Sequence, residues 1–264
     1  MCIRERGIRA TYVRYKPDGM VTYNLPLLLS GSTMNTNVRT VHVALDPDTL
    51  KTLNLERFGE RRSELYYQML DQQYYTMPET VDIPAGEYVA TLPINFTLGG
   101  ENNANSLDMS DKYILPLTIV DDPSYDYQSN DRLHYRKALL NVIPFNDYSG
   151  TYDAAQYRIF LKPDVKNPFT ISSQRAFVVD DRTIFIYAGT RDIDYLDRKQ
   201  YKVFIRFPEK GTDSKLLEVW SDNPEIELEL DEKKACTFTM NEEMDELKPY
   251  LNKIYITLYL YYSF

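Results

Sequence analysis

The chain is poor in the residues that carry most metal and redox chemistry. Only two cysteines and two histidines occur in 264 residues. Cys2 lies at the extreme terminus and Cys236 in an alternating run, Ala235-Cys-Thr-Phe-Thr-Met240, so neither a disulfide framework nor a paired-thiol zinc motif is available. A bridge between the two thiols is the less favoured reading, and Cys236 reads as a small core residue. His42 and His134 each fall in a strand-like run with no further ligand nearby, which argues against a zinc site or a Ser-His-Asp relay. No stretch approaches the roughly 18 consecutive apolar residues of a membrane-spanning helix. Residues 1–7 lack an apolar signal core as well, so the residues alone imply a soluble, unexported chain. Concentrated basic charge is also missing. The net charge is −9, with 14 basic and 18 acidic side chains before residue 146 and 16 and 21 after it, and a chain without a basic face is a poor partner for nucleic acid.

What is abundant is tyrosine, at 23 residues, with 11 phenylalanines, against only 10 glycines and 14 prolines. That balance suits ordered β-structure and excludes collagen-like or disordered chains. The length accommodates two domains large enough to bury cores without staples. A seam falls at residues 139–152. Leu139 to Ile143 reads as a strand stopped by Pro144, while Asn146, Asp147, Ser149 and Gly150 supply turn chemistry. The expected domains are therefore residues 1–145 and 146–264.

In the first domain, alternating or apolar runs at 8–15, 20–30, 40–45, 80–83, 88–98, 113–120 and 133–143 read as strands, with Pro17-Asp-Gly19 as a turn. Asp46 as cap, Pro47 in the first turn and Gly59 as terminator predict a helix between strands, and a second short helix is expected through 64–70. This pattern predicts an antiparallel sandwich with a helical insertion. In the second domain, runs at 150–161, 175–179, 183–188, 200–207, 215–220, 225–230, 236–240 and 253–264 predict about eight antiparallel strands, the number for an up-and-down barrel. One helical turn is expected within 240–248.

The run Val81-Asp-Ile-Pro-Ala-Gly-Glu-Tyr-Val-Ala-Thr-Leu-Pro-Ile-Asn-Phe96 resembles the strand, Pro-Ala-Gly turn, strand signature of Calx-beta and related immunoglobulin-like domains. With Lys112-Tyr-Ile-Leu-Pro-Leu-Thr-Ile-Val120 and the Tyr148-Ser-Gly-Thr-Tyr152 start of a second β-domain, the chain resembles two-domain surface proteins of unknown function from gut Bacteroidetes. Those are usually exported lipoproteins encoded beside outer-membrane glycan-uptake systems. The resemblance implies an all-β chain, with an N-terminal immunoglobulin-like sandwich and a C-terminal lipocalin-like barrel. It also implies a location at the outer-membrane surface or in the periplasm, outer-membrane transporter proteins and polysaccharide as partners, and a lipid anchor on a cysteine after a signal peptide that this sequence does not carry.

Candidate chemistry is sparse. Glu225, Glu227 and Glu229 alternate with apolar residues, which reads as the solvated side of a strand and not as the two unlike carboxyls of a glycosidase. Asp192, Asp194 and Asp197 gather oxygen ligands of the kind calcium takes, as do Asp121, Asp122 and Asp126, but neither set has the glycine and distal glutamate of an EF-hand, so no metal is assigned. Gly99-Gly100 lacks the lysine of a phosphate loop, and no motif calls for a cofactor. Aromatic rings remain. Flat rings stack on the apolar faces of sugars, and Tyr125, Tyr127, Tyr195 and Trp220 fall in or beside polar loops, so these four are the candidate ligand contacts; no catalytic residue is assigned. The expected function is that of a non-enzymatic glycan-binding accessory. The alternatives are a docking subunit that binds proteins without sugar and, third, a glycoside-active enzyme.

Overall fold

A computed structural model describes residues 2–3, 7–16, 19–100, 103–132, 135–160, 166–225 and 227–263, with the side chains of Cys2 and Ile3 not described. His134, Pro17, Asp18 and Ile226 lie outside the described residues. The chain is all-β and divides into two compact units, Met1–Pro144 and Phe145–Phe264.

The first unit contains β1 (Cys2–Ile3), β2 (Ile8–Arg14), β3 (Met20–Leu28), β4 (Arg39–Leu45), β5 (Tyr67–Met69), β6 (Tyr75–Thr76), β7 (Thr80–Ile83), β8 (Val89–Thr97), β9 (Lys112–Ile119) and β10 (Lys137–Phe145). One sheet runs β1-β3-β8-β6. The other runs β2-β10-β9-β4-β7, with β5 added in parallel to β9. Strand alternation supplies the core: Leu25, Leu27, Leu92, Ile94 and Phe96 from the first sheet and Val41, Leu115, Leu117, Leu140 and Val142 from the second are fully buried. Each such side chain contributes about 1.5–3 kcal/mol by leaving water. Pro144 does not stop β10, which runs through it to Phe145. The registered pairs with β9 already end at Val142, so no bond of that ladder requires a donor from Pro144.

The helix forms where its local signals place it. α1 (Pro47–Phe58) begins after Asp46, whose carboxylate accepts from the Thr49 amide at 3.1 Å, and ends at Gly59, which adopts φ 67°. Leu50 packs with Tyr67, Ile114 and Leu139, so α1 covers the face of β9 and β10 opposite the core. The second helix expected at 64–70 is not there: a 3₁₀ turn spans Glu60–Leu65 and Tyr67–Met69 is strand. The reason is tertiary. Buried Asn54 donates to the Tyr67 carbonyl at 2.9 Å and accepts from its amide at 2.8 Å, docking β5 to α1 in extended form.

The second unit contains β11 (Gly150–Asp153), β12 (Ser173–Val178), β13 (Thr183–Tyr187), β14 (Lys202–Arg206), β15 (Glu218–Trp220), β16 (Glu229–Leu230), β17 (Thr237–Met244), β18 (Asn252–Tyr259) and β19 (Tyr262–Ser263). A five-stranded meander, β11-β12-β13-β14-β15, is joined by a β17–β18 hairpin and a β16–β19 pair, and makes a half-barrel. Its interior is filled by Tyr148, Ile184, Ile186, Val203, Ile205, Phe207 and Phe238, with Tyr148 stacked on Phe207 at 3.7 Å. Cys236 is a buried free thiol of this core. The turn at 146–149 is held by Asn146, whose side-chain oxygen accepts from the amides of Tyr148 and Ser149 at 2.9 and 2.7 Å.

Several strands differ from the sequence expectation. β11 ends at Asp153, because Asp153 accepts from the Ala155 amide and turns the chain. Only Glu229 of the three alternating glutamates lies in a strand. The helical turn expected within 240–248 is instead the end of a long hairpin: β17 pairs with β18 from Thr237↔Tyr259 to Met244↔Asn252. Asp245 then closes the turn by accepting from the amides of Leu247 and Lys248, both at 2.9 Å.

Candidate functional site

Three connections of the first unit border an open groove of about 700 Å³: the loop from Leu29 to Arg39, the turn before Tyr88, and the loop from Tyr125 to Asp131. The turn is built from Pro84-Ala85-Gly86-Glu87. The Glu87 amide donates to the Pro84 carbonyl at 3.1 Å and Gly86 takes φ 84°, a conformation that glycine alone adopts without strain. Asn35, 3% exposed, clamps this turn. Its amide nitrogen donates to the carbonyls of Pro84 (2.9 Å) and Glu87 (3.0 Å), and its own carbonyl accepts from the Gly86 amide at 2.7 Å. Arg39 Nε donates to Asn35 Oδ1 at 3.0 Å, and Arg39 Nη1 reaches Asp126 Oδ2 at 3.0 Å as well as the Asp126 carbonyl. Asn35 and Arg39 together thus tie the three walls, Asn35 to the turn and Arg39 to Asp126.

The third wall is shaped by short polar side chains. Asp121 accepts from the amide and the hydroxyl of Ser129 and faces Arg136 at 3.5 Å. Burial alone would raise its pKa, but the Ser129 bonds and the Arg136 charge outweigh that and hold the carboxyl below its ordinary range. Asp122 accepts from Ser124 in the same fashion, and the Ser124 hydroxyl and amide lower its pKa. Arg136 also holds Asp131 at 3.0 Å.

Tyr127 is a buried anchor. Its hydroxyl accepts from the His42 amide and donates to the Val120 carbonyl, each at 2.9 Å, bridging β4 and the end of β9. Burial raises the pKa of this phenol and keeps it a neutral donor. Tyr125 lies on it. The Tyr125 ring stacks on His42 at 4.1 Å with an interplanar angle of 3°, and on Tyr127 at 5.4 Å and 22°. Tyr127 Oη is 3.4 Å from His42 Nδ1, too close for a third ring to pass between them. Both rings therefore support the same face of Tyr125, and the half-buried ring keeps its other face for the groove. Tyr88, 39% exposed, adds a second ring, and Ser30, Thr33, Gln128 and Asn130 add hydrogen-bonding groups.

Of the four candidate aromatics, Tyr125 and Tyr127 thus come together, with unequal roles. Trp220 and Tyr195, in the second unit, have other employment. Phe177, Phe185, Phe204 and Trp220 are registered neighbours across β12, β13, β14 and β15, and form a ladder of rings. Trp220 stacks on Phe204 at 5.4 Å, lies beneath Arg206 at 5.0 Å, and donates its indole N–H to Asp222 at 3.0 Å. Tyr195 lies against the Arg191 guanidinium at 5.0 Å, which also meets Tyr201 and pairs with Asp197 at 3.1 Å. Asp192 accepts from the Asp194 amide at 2.8 Å. Among the described residues, no group of three His, Cys, Asp or Glu stands close enough to hold a metal ion. Sequence reading missed Asn35, Arg39 and Tyr88 as groove residues. The Pro-Ala-Gly turn was visible, but nothing local reveals which distant amide clamps it.

A family model described as a domain of unknown function, DUF4973, matches residues 1–123, and a second model, of a C-terminal domain, matches 136–264. No curated protein resembles the chain closely enough to count as a match. Among solved structures, a Bacteroides ovatus protein of unknown function is 42% identical, with a TM-score of 0.81 over 99% of this chain and 83% of its own. A multidomain B. ovatus protein that includes a DUF1735 domain is 41% identical, with a TM-score of 0.80 over 97% of this chain and 80% of its own. A protein from Bacteroides thetaiotaomicron, described as an auxiliary nutrient binding protein, is 36% identical, with a TM-score of 0.79 over 95% of this chain and 82% of its own. The chain therefore belongs to the family of two-domain Bacteroides proteins that these structures represent, with a DUF4973 domain as its N-terminal part.

Proposed function

We propose that this protein is a non-catalytic accessory of a bacterial cell-surface polysaccharide-uptake system and that it binds glycan in the groove of the first unit. The observation that carries the reading is Tyr125, a ring supported on one face by His42 and Tyr127 and turned by the other toward a polar groove. A sugar ring offers an apolar face to such a platform while its hydroxyls meet amides and hydroxyls around it. The description of one relative as a nutrient binding protein supports the same reading. A binding role without catalysis is supported by the groove carboxylates, since Asp126 is paired with Arg39 and Asp131 with Arg136. A glycosidase instead needs two carboxyls in unlike settings, one of them kept protonated. Location at the outer-membrane surface, attachment through a lipid anchor and partnership with an outer-membrane transporter complete the proposal.

Calorimetry against a panel of plant and host polysaccharides tests it. Binding to at least one, weakened about tenfold in Tyr125→Ala, is the expected result. Failure to bind any polysaccharide would count against it. One observation favours a docking role: the inward face of the β17–β18 hairpin continues past the core as Met240, Ile254 and Met244, interrupted by the Glu242–Asn252 hydrogen bond, with Leu247 91% exposed at the turn. Co-purification with an outer-membrane protein through this hairpin, without any glycan binding, is the outcome that would establish that role.

A further inference from the structure

The charges around the groove carry the reading one step further. Fifteen residues line it, and the charged ones are Arg39, Asp126 and Asp131. Among the described lining residues the one cation, Arg39, is already engaged. Arg39 is held by Asp126 at 3.0 Å and by Asn35 Oδ1 at 3.0 Å, and its side chain is 23% exposed against 53% for that of Asp126. The Asp131 side chain, paired with Arg136 at 3.0 Å, is 73% exposed against 37% for that of Arg136. A ligand in this groove therefore meets two carboxylates nearer to solvent than the guanidiniums paired with them. An anionic group would be repelled by both, and could reach Arg39 only by displacing Asp126 and giving up that ion pair. Hydroxyl groups face no such penalty, because carboxylates accept hydrogen bonds from them readily.

We infer that the groove selects neutral saccharides and discriminates against chains bearing uronate or sulfate groups, through Asp126 and Asp131. The inference rests on the proposed glycan site. Like charges a few ångströms apart in solvent-exposed settings interact by about 1 kcal/mol or somewhat more, which sets a discrimination on the order of tenfold. The effect shrinks with salt, because about 8 Å of screening length at physiological ionic strength is comparable with the groove.

The test uses the full chain and matched backbones: dextran, mannan and xylan, each with its sulfated derivative, titrated at low and at physiological salt. At least one neutral polysaccharide should bind, its sulfated derivative should bind about tenfold more weakly, and the gap should narrow in the Asp126→Asn/Asp131→Asn double variant. Asp131→Asn alone, at an exposed position, serves should the double variant fold poorly, and should narrow the gap in part. Equal or tighter binding of the sulfated form by the unaltered protein overturns the inference while leaving the glycan site standing. A gap unchanged by both substitutions also overturns it, since the net charge of the whole chain would then be its source. No binding of any member, neutral or sulfated, removes the glycan site and this inference with it.

Discussion

Two clusters of aromatic rings, one in each unit, show why tyrosine and tryptophan content alone does not locate a binding site. In the second unit Phe177, Phe185, Phe204 and Trp220 stand in register on adjacent strands, and each ring finds its partner on the next strand. Arg175, Lys202 and Arg206 lie over the rings of Phe177, Phe185 and Trp220 at 5.0–5.1 Å. This ladder is closed. In the first unit Tyr125 rests on two rings with one face and, among the described residues, has no ring on the other. That stack is open, and it faces a groove. The lesson is that a candidate ring should be judged by how many of its faces and polar atoms the fold already occupies.

The comparison is broken most severely by removing a central rung. Phe185→Ala should cost the second unit about 3–5 kcal/mol, as for other fully buried phenylalanines. Trp220 is the single tryptophan, so its fluorescence during denaturant unfolding follows this unit. A loss under 1 kcal/mol would mean that the ladder is packing of little consequence. Next in size is Asn35→Ala, which takes the side-chain donor from the Glu87 carbonyl, leaves the Pro84 carbonyl with the Glu87 amide alone, and removes the acceptor of Arg39 Nε. About 2–3 kcal/mol of stability should go, read by thermal unfolding, together with glycan affinity. A more discriminating pair follows. Tyr125→Ala should weaken polysaccharide binding about tenfold with a stability change under about 1 kcal/mol, while Trp220→Ala should leave binding intact and cost about 1–2 kcal/mol. Reversal of that pattern would move the site to the second unit.

The smallest effect concerns pH. Burial opposes ionisation of Asp46, but hydrogen bonds from Thr49 and Lys137 prevail and lower its pKa. The stabilisation from this cap is therefore complete above the ordinary carboxylate pKa of about 3.9 and is lost as pH falls through the lower folded value. Asp46→Ala should cost about 1 kcal/mol at pH 7 and progressively less in thermal melts between pH 4 and pH 2.

Local signals were read well where they are self-contained. The helix limits follow from Asp46, Pro47 and Gly59, because capping depends on atoms a few residues apart. The strands β12 to β14 follow from the runs at 175–179, 183–188 and 200–207, rich in β-branched and aromatic residues. What escaped depends on distant partners. Residues 64–70 lie in a mixed 3₁₀ and strand segment because Asn54 captures Tyr67, and 240–244 is strand because β18 offers a full ladder. Loop aromatics at Tyr125 and Tyr127 were legible as candidates. Their division into platform and anchor was not, since it turns on a hydroxyl placed between His42 and Val120.

The clamp at Asn35 has a consequence for how such a groove can diversify. It grips the 84–87 turn through main-chain atoms alone, the carbonyls of Pro84 and Glu87 and the amide of Gly86. The side chains of that turn are free to drift, and so are Ser30, Thr33 and Met34 on the rim, provided that Asn35 and a residue tolerant of φ 84° stay in place. The frame of the groove is thus set by Asn35 and Gly86, while the rim side chains can be exchanged without moving it.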